Sequence, residues 1–349
     1  MPFSRLAVTE FPRSICIVML TAIGDAVHVL PVVTAIKRHS PATRITWILQ
    51  PGPALLVRGH PDVDEIITFQ RKRGWRAFLE LRHAMRERRF DLVLAMQPYF
   101  KAGLITAMLH APRKLGFDRA RSRDATWIFA TEHLTPRGER HFQDQNLEFA
   151  EALGVPTEPL TWTLGPWPSE LAFREQFAGS LTKPAASIVV GTSKPEKDWP
   201  AERWAEVCDA LEEEFGLQPV LVGGGSPREL AAQEIIRTRA RKAPLSTLGC
   251  SFRELVGILD ASAVVLSPDT GPLHMAVALG RPSIALMGYT DPKRTGPYRK
   301  CQDLIIDAYS EPNDGAAVSR ATRPGKMPSI TVNHVVDKLR IWRERYAAR

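Results

Sequence analysis

The stretch ICIVMLTAIGDAVHVLPVV, residues 15–33, joins two kinds of pattern. Its first six residues form a continuous apolar run of strand length, as in a strand buried on both faces. Residues 21–24 have the chemistry of a tight turn, and from Asp25 onward apolar residues recur at helical spacing. A buried strand passing through a turn into a helix is the opening half of a βαβ unit. Asp25 then falls in the first turn of the helix, at the carboxyl edge of the expected sheet. It can be read as a helix cap accepting a backbone N–H. It can equally be a carboxylate, ionised at neutral pH, that takes a proton from a hydroxyl group. His28, one turn on, is read as a partly buried histidine.

Outward from this stretch the same rhythm continues. Strands are expected at 15–20, 45–49, 65–69 and 91–95, with helices at 25–39 and 75–88. Between 154 and 184 the rhythm stops, and Pro156, Pro159, Pro166 and Pro168 mark a connection. It resumes with strands at 187–190, 219–222, 263–266 and 283–287 and helices at 201–215, 227–239, 252–260 and 271–279. An irregular loop at 310–329 and a closing helix at 331–346 complete the chain. The fold class is therefore α/β, with two domains built on parallel sheets. The expected boundaries are 1–165, a connection at 166–184, a second domain at 185–330 and the closing helix within 331–349. A chain of 349 residues suits two cores of ordinary size. Ligands of open parallel sheets bind outside the carboxyl ends of the strands, which directs attention to the loops there.

Composition narrows the class. Apolar residues make up 44% and charged residues 24%, the balance of a globular chain. No apolar run approaches the roughly 20 residues that span a bilayer. Arg5 and Arg13 flank no continuous apolar core, so no secretory signal is expected. Cys16, Cys208, Cys250 and Cys301 are scattered without paired spacing, and reduced thiols in the cytoplasm are expected. The formal charge of +8 favours anionic partners, and basic residues crowd 71–89 and 113–123, where a solvated basic face is expected.

Three further stretches can carry chemistry. In VVLSPDTGPLHMAVALGRPSIALMG, 264–288, a strand again enters a helix through a glycine turn, with Pro272 at the first helical positions. The N–H groups of Gly271, Leu273 and His274 at that helix N-terminus suit a diphosphate. Asp269 suits sugar hydroxyls beside it, with Thr270 next in line. In GTSKPEKDWPAERW, 191–204, Thr192 and Ser193 offer hydroxyls, and Lys197, or Lys194, offers a positive charge for a leaving diphosphate. In VLVGGGSPRELA, 220–231, the glycines lack dinucleotide-fingerprint spacing and read as close backbone approach, while Glu229 can accept from a ribose or adenine. No GKS/T phosphate loop, HExxH, GxSxG or DxD pair is present, so no metal and no cofactor is expected.

Together TAIGDAVHVLP (21–31), SKPEKDWPAERW (193–204) and DTGPLHMAVALGRPSIALMGYTDPKRTGPY (269–298) resemble the lipopolysaccharide heptosyltransferases of glycosyltransferase family 9. The resemblance covers nearly the whole chain. It implies the GT-B fold, two Rossmann-like domains facing a central cleft. It implies an ADP-activated heptose (ADP-L-glycero-D-manno-heptose) bound by the C-terminal domain and a Kdo–lipid A or inner-core acceptor bound by the N-terminal one. Asp25 matches the catalytic base, and Lys197 the diphosphate and ribose contact. Thr192 and Ser193 match the phosphate-binding hydroxyls. Asp269 matches the residue holding heptose hydroxyls, with Thr270, Gly271, Leu273 and His274 around the diphosphate, and Glu229 falls near a nucleoside-binding acid. FDLVLAMQPYFKAG (90–103) is similar to the family's FDLVIDxQGxxKS stretch, making Lys101 and Arg123 candidate contacts for acceptor phosphates; Ala95 and Pro98 depart from it, and Pro272 lacks a donor. The resemblance places the enzyme in the cytoplasm, peripherally on the anionic inner-leaflet surface of the inner membrane, with no nucleic-acid partner. A transferase with another glycan or protein acceptor is the alternative within enzymes. A non-catalytic basic nucleotide- or nucleic-acid-binding protein is the alternative outside them.

Overall fold

The structure, a computed structural model, describes residues 10–347. Arg5 and the outermost residues of the expected first domain and closing helix lie outside the described residues. In chain order the first sheet comprises β1 (Ser14–Val18), β2 (Arg44–Leu49), β3 (Glu65–Thr68), β4 (Leu92–Ala95), β5 (Arg113–Gly116) and β6 (Glu132–His133). The second comprises β7 (Ala185–Val189), β8 (Gln218–Val222), β9 (Leu245–Ser246), β10 (Ser262–Pro268), β11 (Ser283–Met287) and β12 (Ile305–Asp307). Every ladder in both is parallel.

The strand orders are β3-β2-β1-β4-β5-β6 and β12-β11-β10-β7-β8-β9. Counted from its own first strand, each is the doubly wound order whose direction reverses beside the first strand. The reversal points are β1/β4 and β7/β10. The chain divides into two units, one of residues up to Gly138 with Asn146–Thr163, the other of Glu139–Gln145 with everything from Leu164.

In the first unit the helices are α1 (Ile23–His39), α2 (Pro51–Val57), α3 (Trp75–Met85) and α4 (Phe100–Met108); α5 (Phe142–Ala152) contributes to both units. In the second they are α6 (Pro168–Gly179), α7 (Ala201–Glu213), α8 (Pro227–Arg239), α9 (Phe252–Ala261), α10 (Gly271–Ala278), the short α11 (Pro292–Thr295) and α12 (Val332–Arg345). Among the described residues no helix is long and apolar enough to cross a membrane.

Burial explains why these elements form. Ile15, Cys16, Ile17 and Val18 of β1 are wholly buried, as befits a central strand covered on both faces. In α3, Ala77, Leu81 and Met85 recur every fourth residue and form its buried face. In the second unit Trp199 and Trp204 meet edge to face at 4.6 Å, and Trp199 Nε1 donates to Ile330 O at 3.0 Å. That bond ties the segment entering α12 to the loop after β7.

Two expectations are corrected. The connection expected at 166–184 contains α6, which starts at Pro168 and packs on α9. A Cβ at Gly257 of α9 would lie 3.2 Å from the Phe173 ring, so the small residue admits the close approach. The prolines there mark a helix start rather than a free linker. The basic stretch 113–123 is also not simply a solvated face. Arg113 makes a two-pronged pair with Glu132 on the neighbouring strand at 2.7 and 2.9 Å. Arg121 is buried between Asp118 (2.5 Å) and Glu148 (2.7 Å).

Candidate active site

In the first unit the groups of interest surround the carboxyl ends of β1 and β4. The last backbone rung there is Met96 N–H to Val18 O at 3.1 Å. Past it, residues 20–22 turn toward α1, and Leu20 O accepts Gln50 N–H at 2.8 Å. Gln97, buried, accepts Leu20 N–H on Oε1 at 3.0 Å and donates from Nε2 to Thr21 O at 2.7 Å. Asp25 sits in the first turn of α1 and accepts Ala22 N–H on Oδ2 at 3.0 Å. The cap expected of Asp25 is thus made from inside the helix, because the N-cap position is Ala22, which has no side-chain acceptor. His28 is buried on α1. Lys101, in the first turn of α4, and Arg123 are both exposed. The Arg123 guanidinium lies 5.7 Å over the Tyr99 ring, and the Arg123 backbone N–H donates to Pro98 O at 3.0 Å.

In the second unit the corresponding loops follow β7 and β10. A 3-10 turn, Pro195–Lys197, presents Lys197, whose Nζ donates to Asp269 Oδ2 at 2.7 Å and to Asp269 O at 2.8 Å. Thr290, just beyond β11, donates its hydroxyl to the same Oδ2 at 2.5 Å. His274 Nε2 lies 3.4 Å from Oδ1. Burial opposes ionisation of Asp269, but the Lys197 charge and then the His274 hydrogen bond outweigh it. The carboxyl stays well below the usual carboxylate range.

Around this centre the hydroxyls and acids are engaged with their own loops. Thr192 Oγ1 and N both contact Asp198 Oδ1 at 2.8 Å. Arg228 also grips Asp198, at 2.5 Å, and donates to Thr192 O. Ser193 is exposed. Glu229 is buried and accepts Gly224 N–H at 3.0 Å and Ser226 N–H at 2.8 Å. The glycines 191 and 223 leave room for it: a Cβ at either would fall 2.3 or 2.4 Å from Glu229. At the start of α10, Thr270 is the N-cap and Gly271 the first helical residue, followed by donorless Pro272. The expectation of an open Leu273 N–H is corrected, since that group donates to Thr270 O at 3.1 Å and Leu273 is fully buried. The His274 side chain is buried too.

Sequence reasoning missed Thr290, Arg228 and His141. His141 Nδ1 accepts Gln143 N–H at 3.0 Å, and Nε2 faces Gly296 O at 2.9 Å. This pattern assigns the neutral ring with its proton on Nε2. Burial, followed by the nearby His274 charge among the lowering influences, brings its pKa down to about 4. No local motif announces these contacts, which join segments far apart in the chain. Among the described residues no group of three or more His, Cys, Asp or Glu side chains is placed to hold a metal ion.

Comparison with known proteins fixes the class. The model of glycosyltransferase family 9 (heptosyltransferase) matches residues 78–321. The chain belongs to glycosyltransferase family 9. The lipopolysaccharide core heptosyltransferase OpsX of Haemophilus influenzae is 32% identical over 304 residues, covering 87% of this chain and 86% of that protein. Lipopolysaccharide heptosyltransferase 1 of Escherichia coli K12 is 26% identical over 302 residues, 82% of this chain and 92% of the relative. Two solved structures share the fold. A family 9 glycosyl transferase from Veillonella parvula superposes with a TM-score of 0.80 at 22% identity, over 94% of this chain and 96% of that one. The E. coli heptosyltransferase WaaC, solved with ADP, gives 0.75 at 23% over 96% and 100%. This family 9 glycosyltransferase is therefore an enzyme with the GT-B pair of Rossmann-like folds, and the non-catalytic alternative falls away. Its family 9 match spans both units, with every candidate donor-side residue and both Lys101 and Arg123 inside it and Asp25 before it.

Proposed function

We propose that this glycosyltransferase transfers heptose from ADP-L-glycero-D-manno-heptose to the Kdo or heptose inner core of lipopolysaccharide, with inversion at the anomeric carbon. One observation carries the reading: the reversal points of the two sheets hold different and complementary chemistry. The first presents an acid in the first turn of a helix, Asp25. The second presents a half-buried lysine paired with a buried acid, Lys197 and Asp269, at the start of a helix. The names of the relatives, heptosyltransferases of the lipopolysaccharide core, and the ADP in one fold neighbour support the choice of substrates.

In the proposed reaction the acceptor hydroxyl oxygen attacks the anomeric carbon as the bond from that carbon to the ADP oxygen breaks. Asp25 takes the hydroxyl proton, and ADP leaves from the opposite face with the bonding electron pair. An ordinary carboxylate is a weak base, near pKa 4. It suffices because the proton moves late in a transition state with oxocarbenium character. Lys197 neutralises the leaving diphosphate, helped by the α10 terminus and the Thr192 and Ser193 loop. Asp269 and Thr270 hold sugar hydroxyls, Gly271 and His274 lie beside the diphosphate, and Glu229 shapes the nucleoside end. Lys101 and Arg123 meet acceptor phosphates. The basic, partly apolar face of the first unit rests on the anionic inner leaflet of the inner membrane, facing the cytoplasm.

Replacement of Asp25 by Ala tests this. Transfer from ADP-heptose to a Kdo-containing acceptor should fall by about 10²–10⁴-fold or more. ADP affinity, measured by calorimetry, should stay within about twofold. Strong residual turnover removes Asp25 from the role, and activity only with another glycan or a protein acceptor would overturn the substrate.

A further inference from the structure

We propose that Gln97 is a positioning residue that sets the orientation of Asp25 by gripping the same peptide unit that Asp25 accepts from. The peptide between residues 21 and 22 has its carbonyl on Thr21 and its N–H on Ala22. Gln97 Nε2 donates to that carbonyl at 2.7 Å, and Asp25 Oδ2 accepts that N–H at 3.0 Å. A single planar group thus couples amide to carboxylate. The other end of the Gln97 amide accepts Leu20 N–H at 3.0 Å, fixing the residue before.

The topology explains why a side chain is needed here. Backbone pairing between β1 and β4 ends with Met96 N–H on Val18 O. Pro98, after Gln97, has no N–H to continue it. Gln97 extends the ladder through its side chain, whose donor and acceptor lie at one fixed spacing. Its burial keeps water from substituting for either partner. Gln50 N–H holds Leu20 O from the β2 side, so the turn is clamped from both neighbouring strands.

The inference rests on Asp25 being the base, and a charge-reversible variant tests it separately. In Gln97→Glu a protonated carboxyl reproduces both bonds, accepting from Leu20 N–H and donating to Thr21 O. The ionised form sets an acceptor against the Thr21 carbonyl. A free glutamate titrates near 4.3 and burial raises that value. The kcat of Gln97→Glu relative to wild type should therefore be about 10²-fold low at pH 8, the scale expected for a small misplacement of a reacting group. It should recover by about tenfold or more toward pH 5.5. The KM for ADP-heptose should hold within about twofold. Gln97→Met should show the loss at every pH without recovery. Thermal unfolding and ADP binding report whether each variant is folded, and the Glu variant's pH ratio decides even if the Met variant fails to fold. A pH-independent ratio for Gln97→Glu, or kcat within threefold of wild type in both variants, overturns the proposal. If Asp25→Ala keeps turnover, the base assignment fails first; if Asp25→Ala is inactive while the Gln97→Glu ratio is flat, this inference alone fails.

Discussion

In the first sheet the loops after β1 and β4 meet through a neutral amide, Gln97 on Leu20 and Thr21. In the second, the loops after β7 and β10 meet through charges, Lys197 on Asp269. The topology is the same, and the two links lie at equivalent reversal points. A neutral amide bonded at both ends has little to offer a ligand, so it holds a loop. A largely buried ion pair is different, because taking charges out of water is expensive and the pair only partly repays it. Each partner can instead be shared with a charged or hydroxyl-bearing ligand that completes its coordination. The comparison teaches that one reversal point is built to fix geometry and the other to exchange partners.

The strongest way to break that comparison is at Asp269. Asp269→Asn keeps the shape but removes the charge from Lys197, Thr290 and His274. We expect kcat/KM for ADP-heptose to fall about 10²–10³-fold, the cost of losing a preorganised charged contact. Lys197→Met should lose a similar amount, and the double variant should lose much less than the product, since the two act as a unit. Asp269→Asn with Gln97→Met should instead combine nearly multiplicatively, as they share no partner. Steady-state kinetics on the three single and two double variants decides. Multiplicative losses at Lys197 and Asp269 would show that the pair is not one device.

A second contrast concerns acid. The first link contains no titrating group, whereas the second unit holds His141 neutral, with its pKa down to about 4. Its unfolded value is about 6.5, so below that pH the unfolded chain takes a proton that the folded chain refuses. Stability is therefore full above pH 6.5, declines as pH falls toward 4, and loses nothing more from this group below that. Asp269 acts elsewhere. Its pKa is depressed, so its contribution persists down to the unfolded value near 3.9 and is lost only in stronger acid. Between pH 7 and pH 5 the His141 effect is roughly 2 kcal/mol. Urea unfolding at the two pH values should show that loss in wild type and most of it removed in His141→Asn, which can still accept from Gln143 N–H. Equal losses in both proteins would exclude His141 as the source.

These two links also mark how far the sequence could be read. The loops carrying Asp25, Lys197 and Asp269 were legible because each follows a long apolar run and precedes a helical period. The ion pair between Lys197 and Asp269 was not, since 72 residues separate the partners and no local pattern encodes the meeting. Gln97 lay within a resembling motif, but its bond to Leu20 spans 77 residues. The strands β5, β6, β9 and β12 were missed because they have only two to four residues. β5 opens with Arg113 and Lys114, whose charges hide a short strand behind the pattern of a basic loop. Asp269 reads as a sugar-binding acid, yet the lysine, threonine and histidine around it emerge only when the strands are assembled.

The smallest expected effect concerns the outer surfaces. Among the described residues the exposed large aromatics, Trp75, Tyr99 and Phe100, all belong to the first unit. Trp75 is 68% exposed and Leu79, one turn on, 52%. Arg71, Lys72, Arg73 and Arg76 are exposed beside them. On α3 the pair lies off the buried Ala77, Leu81 and Met85 stripe, so its removal leaves the core intact. Trp75→Ser with Leu79→Ser should change unfolding free energy by no more than about 0.5 kcal/mol per site. Binding to vesicles containing anionic lipid should weaken by about tenfold, as the side chains no longer enter the interface. The remaining binding should still fall with salt, because each basic residue near such a surface contributes about 1 kcal/mol that ions screen. Flotation of wild type and variant with neutral and anionic vesicles, at low and high salt, separates the two contributions. Unchanged flotation of the variant would leave the contact to the arginines and lysines alone, and flotation indifferent to lipid charge would remove the membrane surface from the proposal.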